Sequence, residues 1–155
     1  GKALGYVRDG GCAVLGPLDF AGGLVVRIEI ELAAPRRNGT VALHLACLAL
    51  GVKDGDVGIT SPLSFLASAN CIAYCGGRPE FADIDPSRLC LAPERVEEHC
   101  EDRKTPRVVI PVDFAGVPAD LPRFRALSEK YGFLMIEDAA HAIGSRYTFE
   151  GQEYA

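Results

Sequence analysis

The sequence predicts an α/β fold: a mostly parallel sheet with helices on both faces. Two runs, RVVIPV at residues 107–112 and FLMI at residues 133–136, are almost wholly apolar. Runs of that length without polar alternation read as strands buried on both sides. Between them, residues 119–131 place Leu121, Phe124, Leu127 and Tyr131 on one helical face, with Arg123, Arg125, Glu129 and Lys130 on the other. Strand and helix signals alternate in this way along most of the chain, which is the pattern of a parallel sheet.

Residues 1–37 carry the least pattern. They are glycine-rich, and their one alternating run, at residues 25–32, reads as a strand with a polar face before the break at Pro35-Arg36-Arg37. Asn38-Gly39-Thr40 then opens VALHLACLALG, which is apolar on every face and stops at Gly51, as a buried helix would. A turn at residues 53–56 leads to a short strand at 57–60, in which Gly58 should weaken the pairing. After Ser61-Pro62, a helix is expected from 65 to 74, ending at Gly76-Gly77. A strand at 80–84, a turn at Asp85-Pro86 and an acidic surface helix at 93–100 with Glu94, Glu97 and Glu98 follow. The strand at 107–112 ends on Asp113, and the strand at 133–136 ends on Glu137 and Asp138. Residues 145–149 form one more candidate strand, with Glu150-Gly151 as its turn.

Composition narrows the function. With 155 residues, 48% hydrophobic and 24% charged, the chain has the make-up of a globular domain with a sizeable core. The net charge of -5 comes from 21 acids and 16 bases without a basic stripe, so the footprint of a nucleic-acid binder is missing. Cys12, Cys47, Cys71, Cys75, Cys90 and Cys100 form no CxxC pair and no Cys/His cluster of metal-binding spacing. Scattered single cysteines fit buried positions in a reducing compartment. The apolar tract at 22–28 is broken by Arg27 and lacks the features of a signal peptide. A soluble, cytoplasmic protein without a membrane span is the expectation.

The chemistry points to the ends of the strands. Ligands of open α/β sheets bind beyond the carboxyl ends of the strands, which is where Asp138 falls. If the chain turns helical there, Asp138 and His141, three apart, project from one side of one turn, though Asp138 equally suits a helix N-cap. The Asn38-Gly39-Thr40 helix start offers free amides, the positive end of a dipole and a hydroxyl, either as an anion site or as a plain cap. Gly39 would let a phosphate approach the backbone. Phe65 follows a strand-to-helix loop, where its ring could stack on a flat ligand or simply join the core, and Ser64 and Ser68 read as local caps. Neither a Walker loop nor a GxGxxG fingerprint is present. One ligand accounts for an anion site, a stacking ring, an acid and an imidazole together: pyridoxal 5'-phosphate. A carboxylate beside its pyridine nitrogen favours the protonated ring, the electron sink of the cofactor.

Four segments, NGTVALHLACLALGV, TSPLSFLASANCIAYCGGRPEFADID, PVDFAG and IEDAAHAIGSRY, resemble in order those of the DegT/DnrJ/EryC1/StrS family of sugar aminotransferases. The resemblance covers residues 38–155 and implies a partial large domain of the fold type I, aspartate-aminotransferase-like enzymes, in a homodimer with active sites at the subunit interface. It implies that Gly39 and Thr40 bind the cofactor phosphate, that Phe65 stacks on the ring, and that Asp138 meets the pyridine nitrogen. His141 would lie near the phenolic oxygen, and Asp113 would face the same pocket as a substrate-pocket candidate.

The subgroup that SPLSFLASAN, VDFAG and HAIGSRY most resemble aminates C4 of UDP-linked 4-keto-6-deoxy sugars on the pseudaminic acid route, with glutamate as donor. The 4-amino-arabinose enzymes of lipid A modification are similar. The resemblance places the Schiff-base lysine beyond Ala155, and none of Lys2, Lys53, Lys104 and Lys130 matches it, so the chain alone is expected not to transaminate. It also leaves residues 1–37 as an atypical segment, as in a chimeric, frame-shifted or truncated reading frame. Two alternatives stay open: the family's dehydratase branch, which carries His in place of that lysine, and a non-catalytic remnant.

Overall fold

The computed structural model describes residues 25–28, 39–149 and 151–154. Five parallel strands form the main sheet, in the order β1-β7-β6-β2-β3: β1 (Val25–Ile28), β2 (Val57–Thr60), β3 (Arg78–Phe81), β6 (Val108–Ile110) and β7 (Leu134–Asp138). Two short antiparallel hairpins flank it, β4 (Ile84–Asp85) with β5 (Cys90–Leu91), and β8 (Tyr147–Phe149) with β9 (Gln152–Tyr154). The helices are α1 (Gly39–Ala49), α2 (Ala67–Tyr74), α3 (Pro93–Asp102) and α4 (Leu121–Tyr131).

The apolar runs are strands because both their faces are covered. Val108, Ile110 and Ile136 point into a layer with Leu43 and Cys47 of α1 and Cys71 and Ile72 of α2. Their neighbours Val109 and Met135 point the other way, against Val96 and Cys100 of α3 and Leu121, Phe124 and Leu127 of α4. Successive strand residues face opposite sides, so an uninterrupted apolar run is what two helical layers require. Phe124 and Phe133 are among the largest fully buried side chains, each contributing about 1.5–3 kcal/mol by leaving water.

Local signals set the helix ends. Asp120 caps α4 by accepting the Arg123 N–H, Pro122 occupies its first turn, and Gly132, at φ 82°, closes it with an N–H to Ser128 O at 2.8 Å. Pro93 opens α3. The expected helix over 65–74 starts two residues later, at Ala67, and the expected strand over 80–84 divides into β3 and β4. The expected atypical segment and the Asn38 cap lie outside the described residues except for β1, which takes the first four residues of the alternating run. β1 pairs in parallel with β7, Ile28 opposite Asp138.

Gly58 changes meaning in the structure. A Cβ there would stand 2.6 Å from Ile72 Cδ1 and 2.9 Å from Val108 Cγ1. Its absence lets α2 lie close on β2, so a residue expected to weaken the strand is what allows the packing. Of the cysteines, Cys47, Cys71, Cys90 and Cys100 are buried and Cys75 is half-buried. Cys47 and Cys71 meet between α1 and α2, where the hydrogen bond to Cys47 and burial push the Cys71 thiol up.

Candidate active site

The order of the strands creates the site. From β2 the chain passes through α2 to β3 on one side, then through the β4–β5 hairpin and α3 to β6 on the other side of β2. α2, which follows β2, and α4, which follows β6, cover opposite faces, so the loops leaving β2 and β6 diverge and a crevice opens at the carboxyl edge. Thr60 Oγ1 donates to Ile110 O at 2.9 Å and ties the two strand ends together beneath it.

In that crevice lies a cavity of about 390 Å³, lined by Gly39, Thr40 and Leu43 of α1 and by Asp138, Ala140 and His141. Ser64, Phe65, Ala67 and Val112 complete it. Its volume falls in the range of roughly 300–1,000 Å³ typical of small-molecule sites. Gly39, Thr40, Phe65, Asp138 and His141 are therefore brought together from three separate stretches of chain. Asp113 is not among the lining residues: it is buried, and its Oδ1 accepts the Ala119 N–H at 2.9 Å, holding the loop after β6.

Asp138 is 5% exposed and fixed on every side. Its N–H donates to Pro111 O at 2.9 Å and its carbonyl accepts the Asp113 N–H at 3.1 Å, so β6 and β7 stay paired past Pro111. Oδ1 accepts the Ala140 N–H at 3.2 Å, and Oδ2 accepts the Ser68 hydroxyl at 2.8 Å. Ser68 Oγ also lies 3.3 Å from Phe65 O, but a hydroxyl has one proton, and the shorter contact to a carboxylate takes it. Ser64 Oγ, 2.7 Å from Ser68 Oγ, then donates to Ser68. The result is a relay from Ser64 through Ser68 to Asp138.

The chain does not turn helical after β7, so the condition for Asp138 and His141 to share one helical turn is not met. The Asp138 carboxylate captures the Ala140 N–H and holds a turn instead, as Asx residues do where they compete with a helix. Further turns close from Ala142 N–H to Ala139 O and from Ser145 N–H to Ala142 O, both at 2.9 Å. His141 still reaches the cavity, with its ring edge-on to Phe114 at 6.0 Å. Phe65 is 71% exposed, so it is not core: its ring stands at the cavity mouth with a face available.

Sequence reasoning took Ser64 and Ser68 as local caps and missed the relay. Their spacing of four puts both hydroxyls on one side of the α2 start, which was the available signal. The partner 70 positions away was not legible.

The cavity brings together a helix start, an exposed aromatic ring and a buried carboxylate. The start of α1 lies at the positive end of its helix dipole. The Asp138 carboxylate has about four lone-pair directions, of which the Ala140 and Ser68 bonds use two, so it can accept a further N–H. Among the described residues, no lysine or arginine lines the cavity.

The parallel sheet covered on both faces, with a helix start and an acid lining one crevice at its carboxyl edge, is the large domain of a fold type I pyridoxal-phosphate enzyme. The chain belongs to the DegT/DnrJ/EryC1/StrS aminotransferase family, whose match spans residues 19–153 and takes in β1. Among solved structures, it is similar to a DegT/DnrJ/EryC1/StrS aminotransferase from Brucella abortus, at 34% identity and a TM-score of 0.65 over 69% of this chain and 30% of that one. NtdA from Bacillus subtilis, solved with bound cofactor PMP, matches at 34% identity and a TM-score of 0.65, over 68% of this chain and 24% of that one. DesI, solved in the presence of its TDP-sugar product, matches at 28% identity and a TM-score of 0.64, over 73% of this chain and 28% of that one. The chain thus spans between 24% and 30% of the length of these structures.

Proposed function

We propose that this chain supplies the cofactor-holding region of a pyridoxal-phosphate-dependent sugar-nucleotide aminotransferase. The amino donor is glutamate and the acceptor a UDP-linked 4-keto-6-deoxy sugar of the pseudaminic acid route, in the cytoplasm. The observation that carries this reading is the meeting, in one cavity, of the α1 start, the exposed Phe65 ring and the buried Asp138 carboxylate. Family membership and the PMP-bound and TDP-sugar-bound relatives support it.

The residues present fit the cofactor. Gly39 and Thr40, at the α1 start, would hold the phosphate, Phe65 would cover one ring face, and Asp138 would take the proton-bearing pyridine nitrogen. When bound, the cofactor supplies the electron sink for the chemistry at the substrate carbon. Ser68 and Ala140 keep the Asp138 carboxylate in one orientation, so that it need not reorganise when the ring arrives. His141, which lines the same cavity, would lie near the ring's oxygen substituent.

The reading includes a homodimer. Val41, Leu45 and Leu48 line one stripe of α1 and are 45%, 56% and 51% exposed, an apolar face beginning beside the cavity. A second subunit against this stripe would cover the site's open side.

Equilibrium dialysis of the gene's product against pyridoxal 5'-phosphate tests the cofactor site, and 2-oxoglutarate release from glutamate with the UDP-4-keto-6-deoxy sugar tests the reaction. Saturable cofactor binding that weakens in Asp138→Asn and Phe65→Ala is expected. Equal, weak binding in all three would reject the site.

A further inference from the structure

Phe114 and His141 belong to two loops that leave the neighbouring strands β6 and β7 and stay joined beyond them. Phe114 opens the 3-10 turn Phe114–Gly116, and His141 lies three residues past the end of β7. The loops meet at three points. The Asp113 N–H donates to Asp138 O at 3.1 Å, the Ser145 hydroxyl donates to Gly116 O at 3.0 Å, and the two rings lie 6.0 Å apart with 61° between their planes. Gly116 makes the approach possible: its φ is 85°, and a Cβ there would stand 3.4 Å from His141 O.

Phe114 is held firmly. Its N–H donates to Val112 O and its carbonyl accepts the Val117 N–H, both at 3.0 Å. Its half-buried ring is seated on the core layer that contains Leu121 and Phe124. The Asp113 carboxylate takes the Ala119 N–H at 2.9 Å and the Cys90 thiol reaches Val117 O at 3.3 Å, so the loop around the ring is pinned. Ala115, the next residue, has φ 54°, a conformation that residues with a Cβ rarely adopt and that persists only where the surroundings over-determine it. His141 is the opposite case. It is exposed, and among the described residues its imidazole makes no hydrogen bond, so the Phe114 ring is the contact that fixes its plane.

We propose that Phe114 is a positioning residue for His141. The edge-on contact keeps the imidazole in one plane at the cavity wall before any ligand arrives, so a hydrogen bond between the imidazole and a ligand oxygen need not first order the side chain. Phe114 itself stays out of the site: it is not among the residues lining the cavity, and it acts only through His141. Ordering one side chain in advance corresponds to about a twofold to tenfold gain in affinity. The inference rests on the proposed function for the identity of that ligand, pyridoxal phosphate.

Equilibrium dialysis of the gene's product against pyridoxal 5'-phosphate tests it, with Phe114→Leu, Phe114→Tyr, His141→Ala and the Phe114→Leu/His141→Ala double variant, each checked for its fold by urea denaturation. Proton NMR of the imidazole, assigned by its loss in His141→Ala, follows the ring contact without any ligand. His141→Ala should weaken binding, Phe114→Leu should weaken it about twofold to tenfold, and the double variant should bind no more weakly than His141→Ala alone. Phe114→Tyr, which keeps the ring, should bind as the wild type does. The imidazole signals should move in Phe114→Leu and hold in Phe114→Tyr. If Phe114→Leu does not fold, Phe114→Met takes its place. Wild-type affinity in Phe114→Leu would overturn the proposal. So would a loss that persists undiminished on top of His141→Ala, because Phe114 would then act through the fold rather than through the imidazole. Wild-type binding in His141→Ala would leave nothing to position and sink the proposal, while a site weakened by Asp138→Asn would keep the cofactor reading. If the wild type does not bind pyridoxal phosphate, the cofactor reading falls and the NMR decides: imidazole signals that move in Phe114→Leu uphold the ring contact, and signals that do not move overturn it.

Discussion

Ser68 and Asp138 stand 70 positions apart in the chain, and the hydroxyl of one donates to Oδ2 of the other over 2.8 Å. The bond joins the start of α2 to the end of β7 across the crevice, so the site's acid is oriented by a helix that also lines the cavity. Both partners are buried, so neither can turn to water if the other is removed.

Ser68→Ala should therefore act twice. Leaving a buried carboxylate oxygen without its donor costs about 1–3 kcal/mol of stability. The freed carboxylate should also hold pyridoxal phosphate several-fold more weakly. Asp138→Asn keeps the shape but removes the charge, and should lose about tenfold or more in cofactor affinity. Urea denaturation with equilibrium dialysis separates the two effects. A Ser68→Ala variant with wild-type cofactor affinity would show that Ser68 does not position Asp138.

Phe65→Ala separates stability from binding in the opposite sense. Being 71% exposed, the ring adds little to the fold, and its loss should change stability by less than about 0.5 kcal/mol. Aromatic stacking of about 0.5–1.5 kcal/mol corresponds to a loss of between about 2-fold and 10-fold in cofactor affinity. A marked drop in stability with unchanged affinity would make the ring a packing residue after all.

Much of this was legible because strand ends are easy to read. The runs ending on Asp113 and on Glu137-Asp138 put three acids at strand ends, and Asn38-Gly39-Thr40 marked the start of a helix. What stayed hidden depended on long-range packing. Asp113 and Asp138 both follow apolar strands, yet one caps its own loop through Ala119 while the other faces the cavity. The Ser68 hydroxyl could be recognised as a relay only once α2 was seen to lie over β7's end. Whether a helix or a turn follows Asp138 was not decided by sequence, because the side chain that would cap a helix can also close a turn.

Gly58 belongs with the hidden features, and it can be tested. Gly58→Ala places a Cβ within 2.6 Å of Ile72 Cδ1 and 2.8 Å of Ile72 Cγ1, and within 2.9 Å of Val108 Cγ1, so the collision comes from two sides. Overpacking of this kind should cost about 1–3 kcal/mol. Combining it with Ile72→Ala should recover part of that loss, since the two side chains would no longer compete for one volume. Denaturation midpoints of the singles and the double complete the cycle. Strictly additive losses would mean that α2 does not bear on β2 at Gly58.

The last prediction concerns the sheet's edge at β3. His99 of α3 is partly buried, with Nδ1 3.7 Å from Glu80 Oε2, and the same carboxylate pairs with Arg78 at 2.7 Å and Arg103 at 3.1 Å. Burial pushes the imidazole below its ordinary value, Glu80 opposes this, and the two arginines add to it. Because the folded chain holds the proton less well than the unfolded one, the unfolded state binds more protons as pH falls below about 6.5. Stability attributable to His99 is therefore full above that pH, declines as pH drops through it, and reaches its floor below the folded-state value. His99→Gln should make the urea midpoint less sensitive to a change from pH 7.5 to pH 5. If wild type and variant lose the same stability over that interval, another group carries the pH dependence. If the wild type is stabilised by acid relative to the variant, attraction to Glu80 outweighs burial and the sign of the shift is reversed.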